Sequence, residues 1–146
     1  MTVAIALASV AGLAGAVQVA VMAELGDRVG VLSALAFSGI VTAGIALAML
    51  LLAKRTLRGL GDVLEQPVWL WTGGALSLLI VLAITVGGSR LGVAATVAIV
   101  ISGNLVMGAV IDRFGLFGLD RIPITWSRML GLALLAAGAA LSLHRR

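Results

Sequence analysis

Cysteine is absent from these 146 residues, which removes disulfides, thiolate nucleophiles and cysteine-held metals together. Charge is scarce as well: Asp, Glu, Lys and Arg supply 11% of the chain, where a soluble domain carries about 25%. The lone histidine, His144, stands beside Arg145 and Arg146 at the C-terminus and reads as a solvated tail residue. No Ser/His/Asp set, metal-ligand cluster or phosphate-binding glycine loop can be assembled. The sequence therefore predicts no enzyme activity, no catalytic residue, no metal and no cofactor. Carboxylates are also missing from the middle of every apolar run. Glu24 and Asp112 come out about 31 Å along their helices, at the membrane interface, and are the two carboxylates available for ion coupling.

What the chain has in quantity is hydrocarbon. It is 62% hydrophobic, with a mean hydropathy of +1.22. Five apolar runs account for most of it: Val3–Ala23, Val31–Ala53, Val68–Val86, Leu91–Ile111 and Met129–Leu143. A bilayer core about 30 Å thick needs roughly 20 helical residues, and the last run reaches that length if Pro123 opens its helix at the first-turn position, where a missing N–H costs nothing. The fold class expected is an all-α integral membrane protein, one domain of five transmembrane helices over residues 3–23, 31–53, 68–86, 91–111 and 123–143. A single helix from Trp69 to Ile111 would be about 65 Å long, so Gly87, Gly88 and Ser89 are expected to break it. The first run is read as a span and not a cleaved signal, because no Lys or Arg precedes Arg28 and the run exceeds the usual signal core.

The sequence pI of about 11.5 points to lipid and not to nucleic acid. Lys54, Arg55, Arg58, Arg113, Arg121, Arg145 and Arg146 fall where spans meet water, and anionic headgroups attract each by about 1 kcal/mol. Five spans put six Lys and Arg on the side of the 54–67 and 112–128 connections and four on the other. That excess is too small to impose one orientation. All three tryptophans, Trp69, Trp71 and Trp126, fall on the first side, whereas interfacial belts normally form at both. Pairing the chain with an inverted copy of itself would cancel the charge bias and complete both belts.

Within the spans, Ala8, Gly12, Ala16 and Ala20 form one small-residue stripe, and Gly131, Ala137 and Gly138 another, which suits close helix packing. Gln18 and Asn104 carry more information, because an amide in hydrocarbon costs several kcal/mol unless it is satisfied. One reading makes each an interhelical hydrogen bond of about 1 kcal/mol; the other makes them the lining of a polar cavity, with Ser38 and Thr42 near the same level on span two. Counted along their helices, Gln18 and Asn104 miss each other by about 12 Å within one chain, and an inverted second copy brings its Asn104 level with Gln18.

The stretch Ser102–Gly118, SGNLVMGAVIDRFGLFG, with Arg90-Leu91-Gly92 before it and Arg128-Met129-Leu130-Gly131 after it, resembles the YdcZ-type branch of the drug/metabolite transporter (DMT) superfamily. Gln18 with Leu25-Gly26, Phe37-Ser38, and Pro67 to Trp71 followed by Gly73-Gly74 extend the resemblance over nearly the whole chain. The family usually has Gly-Gln where Gly103-Asn104 stands here, and commonly Asn one turn beyond the span-one Gln, where this chain has Met22. The resemblance implies a carrier built from two inverted halves. The expectation is a multi-pass subunit of the bacterial cytoplasmic membrane, moving a small metabolite or drug-like molecule as an antiparallel dimer. Gln18, Asn104, Ser38 and Thr42 would bind substrate, and Gly73, Gly74, Gly87, Gly88 and Gly103 would serve helix breaks or packing. The alternative is a non-transporting scaffold subunit. The partners expected are a small-molecule substrate, membrane lipid and an inverted copy or homologous half, with no nucleic acid.

Overall fold

The computed structural model of the chain describes residues 2–123 and 125–143; the tail residues His144, Arg145 and Arg146 lie outside the described residues. Helix α1 runs Thr2–Val29 and α2 Val31–Lys54. They are joined by one residue, Gly30, at φ 87° and ψ 146°. Its N–H donates to the Gly26 carbonyl at 2.9 Å, and its own carbonyl accepts from Ala34 N at 3.0 Å. The chain thus reverses without abandoning backbone polar groups, which hydrocarbon would not tolerate. A positive φ of this kind favours glycine because it has no Cβ. Span one therefore continues past Ala23 through the polar residues to Val29, where Arg28 bonds Glu24 one turn back at 2.7 Å.

The connection at the other end is longer. Arg55 closes α2 in the left-handed region, its N–H on the Leu51 carbonyl, and a short helix α3, Arg58–Leu64, follows. Pro67 starts a 3-10 turn over Val68–Trp71 that runs into α4, Thr72–Leu91. Trp71 Nε1 donates to the Val63 carbonyl at 3.3 Å, and Trp69 stacks on Phe117 with centroids 5.8 Å apart.

Helix α4 passes straight through Gly87, Gly88 and Ser89, which corrects the expected break there. The break is one residue, Gly92, at φ 86° and ψ 159°, and α5, Val93–Phe114, begins at once. Glycine in a helix interior costs about 1 kcal/mol, and close approach offsets it at this pair. A Cβ on Gly88 would stand 2.8 Å from Ala23 Cβ and 3.1 Å from the Val19 carbonyl oxygen, and one on Gly87 2.8 Å from Thr96 Cγ2. Gly73, Gly74 and Gly103 also lie inside α4 and α5. Nothing stands within 4 Å of a Cβ at any of the three, so they neither break a helix nor seat a neighbour.

Gly115, at φ 62°, ends α5 with its N–H on the Ile111 carbonyl, and a 3-10 turn over Leu116–Gly118 follows. The last helix, α6, is Trp126–Leu143. Its first hydrogen bond runs from Met129 N to the Thr125 carbonyl at 3.1 Å. Thr125, a favoured cap type, therefore occupies the cap position expected near Pro123, and the helix starts later. Among the described residues four helical segments are long and apolar enough to cross a membrane, Thr2–Val29, Val31–Lys54, Val68–Leu91 and Val93–Phe114; α6 contributes a shorter apolar stretch, Met129–Leu141.

Packing is concentrated at the end that holds Gly30 and Gly92. Met22, Ala34 and Leu35 form the core there with Leu25, Val31, Val81 and Leu82 against them, and Thr85, 1% exposed, sits where α1 crosses α4. Of the buried described residues only Ala109 belongs to the opposite half of the bundle. Gly88→Ala should therefore cost about 1–3 kcal/mol through overpacking. Gly44→Ala, where nothing lies within 4 Å, should gain up to about 1 kcal/mol from helix propensity. Unfolding titrated with a denaturing detergent measures both; equal effects would remove the glycine crossing from the account.

Candidate substrate cleft

Where α2 and α4 diverge from their packed end, a cleft of about 430 Å3 opens, a volume in the range of small-molecule sites. Helix α1 supplies Gln18, α2 supplies Leu35, Ser38, Gly39 and Thr42, and α4 supplies Gly74, Ser77 and Val81. Leu35 and Val81 also belong to the packed core or lie against it, so the cleft is floored by that core at the end that holds Gly30 and Gly92. Spacing explains the convergence. Residues 35, 38, 39 and 42 form one face of α2, and 74, 77, 78 and 81 one face of α4.

The hydrogen-bonding state of the polar side chains separates the cleft from the rest of the bundle. Thr85 donates to the Val81 carbonyl at 2.7 Å, Thr96 to Gly92 at 2.9 Å, Ser102 to Ala98 at 2.8 Å and Ser9 to Ile5 at 2.9 Å. This backward bond is the usual way a hydroxyl is satisfied inside a helix. Ser38, Thr42 and Ser77 make none among the described residues, and the Gln18 amide makes none either. Four polar side chains with unused donors and acceptors thus face one space at bilayer depth, where each lacks a partner that hydrocarbon cannot supply.

Three of the four residues expected from sequence, Gln18, Ser38 and Thr42, line this cleft together. Asn104 does not: it is exposed on α5, its amide is unbonded among the described residues, and it is absent from the cleft wall. Gln18 stands 12 residues before Gly30 and Asn104 12 residues after Gly92, so the two are level within one chain, which corrects the expected offset of about 12 Å; α1 runs on past Ala23 to Val29. Ser77 is the residue that sequence reasoning missed. Its signal is a lone hydroxyl in a leucine-rich run, one turn after Gly74 and so on the same face.

The carboxylates stay outside. Glu24 is ion-paired with Arg28 at 2.7 Å, both largely exposed, and the two border a shallow depression on the outer face of α1 with Ala20, Val21 and Leu25. Asp112 is half-buried at the end of α5, and its carbonyl accepts from Ile122 N at 2.8 Å. A second concavity, about 600 Å3 between α5 and α6, is lined only by apolar residues, among them Ala16, Val97, Ile101 and Leu134. It offers a ligand no hydrogen bond from a side chain.

The chain matches a family model, DMT_YdcZ, described as "Putative inner membrane exporter, YdcZ", over residues 3–141. It belongs to that family. The resemblance read from Ser102–Gly118 is thereby established, and the chain is a multi-pass protein of the cytoplasmic membrane. The family is one of membrane exporters, transporters and not enzymes. No curated protein and no solved structure matches the chain.

Because the Gln18 amide holds nothing together in the fold, its removal should leave the fold standing. Gln18→Leu, and likewise Asn104→Leu, should unfold within about 1 kcal/mol of the parent or above it, since an apolar replacement removes a polar group that has no bond to lose. Thermal unfolding in detergent checks this. A loss of more than about 2 kcal/mol would mean the amide is a structural hydrogen bond.

Proposed function

We propose that the chain is one half of an exporter for a small neutral or zwitterionic solute, and that two copies in opposite orientations make the working carrier. The observation that carries this reading is the set of unbonded groups in the cleft: Gln18, Ser38, Thr42 and Ser77 present hydrogen-bonding capacity that the fold itself leaves unspent. A solute bearing hydroxyl, amide or ammonium and carboxylate groups is what such a surface recognises. The absence of a carboxylate from the cleft wall argues against a bare cation as cargo, since desolvating it would call for a countercharge.

An inverted pair accounts for three further features. Carriers commonly place substrate near the bilayer midplane at the interface of inverted repeats, and this chain supplies one repeat's worth of helices. The six-to-four division of Lys and Arg is weak enough to permit both orientations. The one-sided tryptophans become two-sided in the pair.

Transport follows from binding on alternate sides. The cleft is closed at one end by the core of Met22 and Leu35 with Val81 against it, so exchange of access requires those contacts to part while the opposite halves of the α1/α2 and α4/α5 hairpins close. Glu24 and Asp112 are the coupling groups in reserve.

Two measurements test the proposal. Purified protein in liposomes should show flux, and ligand-dependent stabilisation, with at least one member of a broad panel of polar metabolites, and Gln18→Leu should abolish both while remaining folded. Neither response across the panel would favour a scaffold subunit. A single cysteine at Gly61, exposed on α3 with nothing within 4 Å, should be labelled by an impermeant thiol reagent from both faces of the membrane. Labelling from one face alone would sink the self-inverted pair.

A further inference from the structure

The segments Gly26–Val31 and Gly88–Val93 read GDRVGV and GSRLGV, two copies of Gly-x-Arg-x-Gly-Val set 62 residues apart. The structure uses them identically. Gly30 and Gly92 are the single-residue turns, at φ 87° and 86°. The close approaches are reciprocal at the same offset: a Cβ on Gly26 would stand 2.7 Å from Thr85 Cγ2, and one on Gly88 2.8 Å from Ala23 Cβ. Exchanging each residue for its counterpart 62 positions along turns one contact into the other, as a two-fold relation between the α1/α2 and α4/α5 hairpins requires. Both hairpins have their turn at the same end, so the relation is a parallel repeat about an axis along the membrane normal.

The repeat is unequal in one respect. Helix α6 runs along α5, with Leu134, Leu135 and Gly138 beside Ala94, Ala98 and Ile101. The counterparts of those three on α2 are Leu32, Ala36 and Gly39, and among the described residues no helix lies along them as α6 lies along α5. The vacant position borders the mouth of the polar cleft, whose wall includes Gly39, Ala43 and Ala46. We infer that a second, inverted copy fills it with its own α2, lying antiparallel along the stripe Ala36, Gly39, Ala43 and Ala46, so that the two α2 helices pair about a two-fold axis near Ala43. The inference rests on the inverted pair proposed above. Direction supports it: the missing helix must run as α6 does, opposite to α2, and in an inverted copy α2 runs that way. Small residues allow the close approach that membrane helices need in place of a hydrophobic drive.

The chain has no cysteine, so single cysteines report cleanly. Ala36 and Leu50 stand two helical turns on either side of Ala43 and share its face, while Ile45 points the other way. Under mild oxidation in membranes, A43C should give a disulfide dimer, and A36C, L50C and I45C alone should not. A36C and L50C present in one chain, or in a mixture of the two, should restore the dimer band. If A36C and L50C each cross-link to themselves, the copies are parallel, and both this interface and the inverted pair fall. If no stripe position cross-links while Gly61 is labelled from both faces, the inverted pair stands and its interface is not α2.

Discussion

Helices α1 and α4 cross within contact of backbone, and the rest of the molecule takes its form from that crossing. Gly26 lies against Thr85 and Gly88 against Ala23 and Val19, at distances that leave no room for a Cβ. In lipid such proximity supplies the dispersion that soluble proteins draw partly from water exclusion. Because the crossing sits near Gly30 and Gly92, the hairpins are held at that end, and Met22, Ala34 and Leu35 complete the seal. The opposite halves of α2 and α4 have no equivalent contact, so they diverge. The cleft is a consequence of packing at one end only.

Satisfied and unsatisfied hydroxyls divide along the same line. Thr85 and Thr96, at the packed end, return their protons to carbonyls four residues back. Ser38, Thr42 and Ser77, in the diverging part, do not. A bilayer penalises idle polar groups, so a chain that keeps four facing one space has a use for them or fills the space with water. Glu24, by contrast, remains near a helix end paired with Arg28, and Asp112 lies in the last turn of α5. That segregation suits recognition by hydrogen bonds more than exchange of cations.

Much of this was legible in the residues, and the misreadings have physical causes. Apolar length located the spans, since backbone in hydrocarbon admits little besides helix. It placed the end of α1 too early because Glu24, Asp27 and Arg28 look like a loop, although Glu24 and Arg28 are four apart and pair along one helix face. Gly87 and Gly88 looked like a break because glycine weakens helices; which glycine adopts positive φ depends on what lies beside it, and Ala23 and Thr96 lie beside these two. The repeated Gly-x-Arg-x-Gly-Val was the available signal that Gly92 and Gly30 are equivalent. Gln18, Ser38 and Thr42 converged as their depths suggested. Ser77 was hidden because α4 carries no other polar residue nearby to reveal a face, and Asn104 faces away because α5 is turned toward α6.

One face of α2 lines the cleft that the core closes at the Gly30 end, and water should reach that face. Cysteines introduced singly from Leu35 to Lys54 and exposed to a water-soluble thiol reagent would report on it position by position. Fast reaction is expected at Ser38 and Thr42, slow reaction at the positions between and beyond them, and none at Leu35, a helical spacing that ends at the core. Uniform reactivity along the helix, or none at Ser38 and Thr42, would contradict it.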